Sequence, residues 1–306
     1  MTVAPRSHPQ VPEGRPGDGP LSGRFEVVEH RKEGAYRVLT VVAPEVAERS
    51  KPGQFIEVGV GGQSTLLRRP FSIASAANGT VTFVYDVHGA GTEWLTGVQV
   101  HEHLDVIGPL GVPFPLPNNP VSCLLIAGGY GAAPLFWLAE ELQRVGNRVD
   151  FVNGAASESR LHAIIESKRV SSSVAFTTDD GSYGVQGRVT DVLEQRVEAC
   201  SSDVVYAVGP MGMLRAVAEE AARLGVPCQV SVEENMACGV GVCWTCILPM
   251  HEPDGTIKNR RACLDGPVFS GAKVAWEHTR WAVGTSADPE DAQTTPVRHT
   301  DEELFG

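Results

Sequence analysis

The chain has 306 residues, 42% of them hydrophobic, and a formal net charge of −12. That length accommodates two ordinary domains and a small third, and the apolar share excludes a disordered or fibrous chain. The acidic balance argues against nucleic acid or an anionic membrane as partner. No apolar run approaches the ~20 residues that span a bilayer. The opening MTVAPRSHPQVPEGRPGDGP has no apolar signal-peptide core and is rich in Pro and Gly, so residues 1–21 are expected to be disordered and the protein cytoplasmic.

From residue 22 to 118 short β-type runs dominate: FEVVEH, YRVLTVVA, QFIEVGV, FSIAS, TVTFVYDV and HLDVIG. Gly and Pro punctuate them, and helix is expected only around Thr92–Leu95. Such spacing predicts a small antiparallel barrel. PLGVPFPLPNNP then reads as a linker, because its prolines exclude helix and central strand.

Residues 119–226 alternate between two periods. VSCLLIA, RVDFVNG, SVAFTT and DVVYAVG read as buried strands. Helical patterns interleave them: Leu135 to Val145, LHAIIESKR, VTDVLEQRV and MLRAVAEEAARLG. This alternation predicts a parallel sheet covered by helices, with PCQVSVE adding a strand. Residues 227–275 carry four cysteines and little regular pattern, and 276–306 read as a polar, disordered tail. The fold class expected is thus α+β and multidomain: a β-barrel, an α/β parallel-sheet domain and a small cysteine-bearing domain.

The four clustered cysteines are Cys238, Cys243, Cys246 and Cys263, spaced C-x4-C-x2-C-x16-C. This is the plant-type ferredoxin spacing, in which four thiolates hold a [2Fe–2S] cluster. Gly239 and Gly241 let the backbone wrap closely around the sulfurs. A structural zinc site is the alternative, although zinc ligands more often pair as two short C-x2-C knuckles. Cys123, Cys200 and Cys228 stand at apolar positions and read as buried and inert.

Two glycine turns follow strands. In IAGGYGAAP, Gly128, Gly129 and Gly131 permit the tight turn and close backbone approach that a pyrophosphate needs at a helix N-terminus. In VGPMGML, Gly209 and Pro210 repeat the arrangement and suit the nicotinamide end of a dinucleotide, or simply a helix start. In the barrel, RRPFSIAS offers Arg69 to a phosphate and Phe71 and Ser72 to a flavin ring, while HGAGTEWL offers Gly89, Gly91 and Thr92 to a second phosphate. Either barrel segment alone reads as loop and strand.

In this order the segments resemble the ferredoxin–NADP reductase superfamily. SVEENMACGVGVCWTC, RRACLDGPVF and TDDGSYGVQGRVTD narrow the likeness to the electron transfer subunit of class 1B dihydroorotate dehydrogenase, over about Gly23 to Trp276. The resemblance implies FAD, one [2Fe–2S] cluster and NAD(H). It also implies a separate FMN-containing catalytic subunit that oxidises dihydroorotate in pyrimidine biosynthesis, joined in a heterotetramer. Carried onto this chain, the FAD contacts are Arg69, Pro70, Phe71, Ser72, Val84, Tyr85, Asp86, Gly91 and Thr92. The family places a basic residue where Asp86 stands and a cysteine where Val208 stands. Ser157 and Arg160, after the second sheet strand, suit a 2′-phosphate, which leaves NADP open beside NAD.

Nicotinamide exchanges hydride and a [2Fe–2S] cluster single electrons, so a flavin is expected between them, with no acid–base residue required of this chain. Hydrogenase- or sulfide-linked reductase subunits of the same superfamily are the alternative within the enzyme class, and a zinc-stabilised binding module the alternative outside it.

Overall fold

The computed structural model describes residues 19–61, 65–279 and 299–306. Most of the N-terminal stretch expected to be disordered, and residues 280–298 of the tail, lie outside the described residues.

β1 (Leu21–Glu33), β2 (Tyr36–Val42), β3 (Phe55–Val58), β4 (Arg69–Ala77), β5 (Thr80–Tyr85) and β6 (His103–Leu110) form a closed antiparallel barrel in the order β1-β2-β5-β4-β3-β6. Alternation drives closure. Leu104 and Val106 of β6 point inward to join Val27, Leu39, Ile56, Ile73 and Phe83 in one apolar core. Two short helices interrupt the strands, α1 (Pro44–Arg49) and α2 (Ala90–Thr96). Only α2 was foreshadowed around Thr92–Leu95; α1 is a six-residue turn opened by proline, too short to show a period.

The second domain runs β7 (Ser122–Gly128), α3 (Ala132–Arg144), β8 (Arg148–Ala155), α4 (Ile164–Arg169), β9 (Ser173–Thr178), β10 (Val185–Gln186), α5 (Leu193–Cys200), β11 (Val204–Val208), α6 (Met211–Arg223) and β12 (Cys228–Ser231). Its strands pair in parallel in the order β10-β9-β8-β7-β11-β12. All five residues of β11 are buried, the mark of a strand covered on both faces. Helix α4 begins three residues later than LHAIIESKR suggests, because Ala163 adopts φ +49° and breaks the helical run.

The cysteine-bearing segment contributes a hairpin of β13 (Ile247–His251) and β14 (Ile257–Arg261). No alternation announces β14, since IKNRR is exposed along most of its length. The segment then returns to the large sheet as β15 (Val268–Ser270), antiparallel to β12. Cys246, Leu248, Cys263, Phe269 and Trp276 share one core with Leu124, Val205 and Leu214 of the sheet and α6. The cysteine loop is therefore anchored in the parallel-sheet domain.

The C-terminus departs from the disordered tail expected of it. Residues 301–305 form α7 (Asp301–Phe305), capped by Thr300, whose hydroxyl accepts the Glu303 N–H. Leu304 is buried with Phe114, Leu135 and Tyr206, and its carbonyl accepts the N–H of Asn118 at 2.9 Å. An acidic pentapeptide hides this, because its one fully buried residue shows only in contact.

Candidate functional site

A cleft of about 960 Å³ runs between the barrel, the carboxyl edge of the parallel sheet and the cysteine-bearing segment. Ligands of open α/β sheets bind at that edge. Its walls gather nearly every residue expected of a cofactor site: Arg69, Pro70, Phe71, Ser72, Val84, Tyr85, Asp86 and Thr92 from the barrel, and Gly128, Gly129, Gly131, Gly209 and Pro210 from the sheet.

On the barrel wall, Phe71 stacks on Phe83 with ring centroids 4.7 Å apart, which fixes its plane. Tyr85 is hydrogen-bonded through its hydroxyl to His30 Nε2 at 2.9 Å, and burial pushes that phenol up to about 12, so it stays neutral. Thr92 caps its own helix: its Oγ1 accepts the N–H groups of His88 and Gly89, both at 3.1 Å. Gly91 is buried rather than cleft-lining. A Cβ there would meet Arg69 Nε at 2.9 Å, so glycine lets α2 sit against the arginine.

On the sheet wall, the turn after β7 is built from glycine for steric reasons. Gly129 has φ +58°, and a Cβ on Gly131 would lie 2.5 Å from the Val208 carbonyl oxygen. A Cβ on Gly128 would lie 2.8 Å from Met213 Sδ and from Pro210 Cδ. The two glycine turns thus pack backbone to backbone, leaving a shallow cradle of the kind a pyrophosphate needs. Val208 ends β11 in the same cleft.

Other lining residues were not singled out for the site by sequence. Tyr36, Tyr130, Asp179, Arg188, Glu233 and Met236 reach the cleft from five different segments, and only folding brings them together, although all but Tyr36 lie inside the glycine-turn and family-like segments. Arg160, which follows β8, is joined to Asp86 of the barrel at 2.6 Å.

The four cysteines form two neighbouring pairs. In the first, Cys238 Sγ accepts the backbone N–H groups of Val242 and Cys243 at 3.3 and 3.4 Å. The Thr245 hydroxyl donates to Cys243 Sγ at 3.1 Å; with the nearby Cys238 thiol it pushes Cys243 down to about 6. In the second pair, Cys246 Sγ accepts the N–H of Cys263 at 3.4 Å. The Cys263 thiol, buried beside it, lowers Cys246 and is itself raised. Gly239 and Gly241 adopt φ +66° and +82°, which turns the loop's amides toward sulfur. Arg261 braces it by donating to the Gly241 carbonyl at 2.8 Å and lying 4.7 Å from the centre of the Trp244 ring.

Among the described residues no three Cys, His, Asp or Glu side chains converge as ligands of a single ion. Two thiol pairs fit a binuclear cluster, in which each iron takes two thiolates, better than one tetrahedral zinc. Cys123, Cys200 and Cys228 are buried, and burial pushes the Cys228 thiol up.

Comparison with known proteins agrees with this arrangement. Residues 233–275 match the iron-sulfur cluster binding domain of dihydroorotate dehydrogenase B. A chain from the NADH-dependent reduced ferredoxin-NADP oxidoreductase structure superposes with TM-score 0.74 at 32% identity, covering 83% of this chain and 91% of that one. A ferredoxin NADP+ reductase from Neisseria gonorrhoeae, at 15% identity and TM-score 0.55, covers 65% of this chain and 89% of its own, and shows the shared fold. The dihydroorotate dehydrogenase B (NAD(+)) electron transfer subunit of Desulforamulus reducens is 36% identical over 77% of this chain and 90% of its own. That of Geobacillus thermodenitrificans is 40% identical over 82% of this chain and 97% of its own. Identity at that level over nearly a whole relative, with the paired cysteines inside the matched segment, shows that the chain belongs to the family of dihydroorotate dehydrogenase B electron transfer subunits.

Proposed function

We propose that this chain carries electrons between NAD(H) and a separate FMN-containing subunit that oxidises dihydroorotate in pyrimidine biosynthesis, the two kinds of subunit forming a heterotetramer. The observation that supports it most is the reach of the cleft. Thr245, whose hydroxyl holds Cys243 Sγ, lines the same cavity as Arg69–Ser72 and Gly128–Gly131. One continuous space therefore touches a cysteine loop, a flavin-type wall and a dinucleotide-type turn.

FAD belongs against Arg69, Pro70, Phe71, Ser72, Val84, Tyr85 and Thr92, a [2Fe–2S] cluster on Cys238, Cys243, Cys246 and Cys263, and NAD(H) over the glycine turns. FAD held there would supply the conversion between two-electron hydride chemistry at nicotinamide and single-electron chemistry at the cluster, which neither carrier performs alone. The chain's own residues position and insulate. Phe71 is held by Phe83, the glycine turns keep side chains out of the cradle, and the amides of Val242 and Cys243 stabilise negative sulfur. Cys243 is exposed between Val242 and Trp244, themselves 75% and 51% exposed, an apolar face suited to a partner subunit.

The structural likeness to a reduced ferredoxin-NADP oxidoreductase favours a second reading, an electron-transfer subunit serving another oxidoreductase. No helix among the described residues is long and apolar enough to cross a membrane, and a cytoplasmic site of action is part of the proposal.

The test is purification under anaerobic conditions followed by assay with the FMN subunit. A brown-yellow protein with FAD and iron that reduces NAD+ when dihydroorotate and the partner are added supports the reading. A colourless protein holding stoichiometric zinc overturns it.

A further inference from the structure

An ion pair crosses the rim of the cleft from one domain to the other. Arg160 Nη2 donates to Asp86 Oδ2 at 2.6 Å. Asp86 directly follows β5 of the barrel, and Arg160 closes the short 3-10 turn Glu158–Arg160 that follows β8. The main chain of Arg160 is pinned, since its carbonyl accepts the Tyr36 hydroxyl at 2.7 Å. Its guanidinium lies 5.4 Å from the centre of the Tyr36 ring, so the Tyr36 ring and the Asp86 carboxylate together hold the fork at the rim. That side chain is 45% exposed, whereas Asp86 is 18% exposed.

The position bears on the ligand. β8 lies beside β7, and Gly154, Ala155 and Ala156 at its end line the cleft with the glycine turn after β7. A dinucleotide lying over this edge brings two phosphates, whose charge calls for a forked cation. Among the described residues, the guanidinium groups lining the cleft from the sheet side belong to Arg160 and Arg188. An unpaired aspartate on the opposite rim would repel the same phosphates. Paired with Arg160, it keeps the arginine over the cleft and ties the barrel to the sheet.

We propose that Arg160 binds the pyrophosphate of the nicotinamide dinucleotide, and that Asp86 holds the arginine in place until the ligand arrives, so that binding exchanges one anion for another. This rests on the dinucleotide reading of the cleft. Carboxylate and pyrophosphate compete for one guanidinium fork; the ligand loses affinity to that competition and gains a pre-placed cation. Tyr36 holds the backbone fixed during the exchange.

The experiment measures ADP-ribose binding by calorimetry to the FAD-loaded protein at low salt, with adenosine as the phosphate-free control. Arg160→Ala is expected to weaken ADP-ribose by about ten- to a hundred-fold, the usual worth of a charge-assisted bond, while leaving adenosine unchanged. Asp86→Asn is expected to tighten ADP-ribose several-fold, and the double variant to bind as weakly as Arg160→Ala alone. That non-additivity separates a latch from general electrostatics, because simple loss of a negative charge would help an anion with or without Arg160. Equal tightening by Asp86→Asn in both backgrounds overturns the proposal. So does an Arg160→Ala protein that binds ADP-ribose normally, loses adenosine in parallel, or sheds its FAD. A wild-type protein that is loaded with FAD yet binds no ADP-ribose removes the dinucleotide reading as well.

Discussion

The carboxylate of Glu57, on β3 of the barrel, packs against Gly239 in the cysteine loop: a Cβ on Gly239 would lie 2.6 Å from Glu57 Cδ. Glu57 is fully buried, and among the described residues neither of its oxygens has a hydrogen-bond partner. This is where the barrel meets the loop that carries Cys238, and the fit leaves no room for a methyl group. Gly239 also has φ +66°, which costs an L-residue strain whatever the space. Gly239→Ala is expected to lower stability by about 1–3 kcal/mol and to reduce bound iron, read by thermal melting and iron assay. A variant with full iron and an unchanged melt would show that the loop can move away from the barrel.

Glu57 also gives the protein a pH dependence of known sign. Burial raises its carboxyl to about 7, opposed in part by Arg68 and Arg69. A carboxyl raised on folding stabilises in its protonated form. Its contribution is therefore full below the ordinary carboxylate range near 4.5 and is lost as pH rises to about 7. Glu57→Gln is expected to be isostable with the wild type at acid pH and more stable above neutrality, by up to about 3 kcal/mol. Denaturant midpoints across this range measure it. A difference that does not change with pH would mean that Glu57 ionises as freely in the fold as in the unfolded chain.

Serine at any of Cys238, Cys243, Cys246 or Cys263 is expected to abolish or badly destabilise the cluster, because each iron takes two thiolates. Cys228→Ser is expected to leave the visible spectrum intact, since Cys228 is buried in β12 among the residues of the sheet core. Bleaching by Cys228→Ser would overturn the ligand set.

Cys263→Ser further separates two activities. NADH-dependent reduction of a small dye needs the barrel and the parallel-sheet wall, so it is expected to persist in a folded variant. NAD+ reduction driven by dihydroorotate and the partner subunit is expected to fall by orders of magnitude. Equal NADH formation by variant and wild type would remove the cysteine loop from the electron path.

The docked C-terminus gives a prediction about stability alone. Leu304 is 5% exposed and completes the core under Phe114 and Leu135. Leu304→Ala is expected to cost about 2 kcal/mol, the low end for a buried leucine because the short terminal helix can settle into the space. The denaturant midpoint should drop with NADH–dye activity preserved. A midpoint equal to the wild type's would show that α7 stays undocked in solution.

Much of this was legible from local chemistry. Alternating apolar residues close the barrel, buried runs such as VSCLLIA and DVVYAVG occupy the middle of the parallel sheet, and the spacing of Cys238, Cys243, Cys246 and Cys263 declares a cluster before any fold is known. Each is a signal carried by neighbours in the chain: side-chain period, backbone freedom, ligand type. What only the tertiary structure decided lies between residues far apart. Asp86 looked out of place among phosphate-binding residues until Arg160, 74 positions away, proved to face it. Glu57 read as one polar residue in a strand, yet the cysteine loop folds over it and removes it from water. Residues 301–305 carry the acidic composition of a disordered tail, and one buried leucine docks them. Composition and period report what a segment prefers alone; burial and charge pairing depend on which other segments arrive beside it.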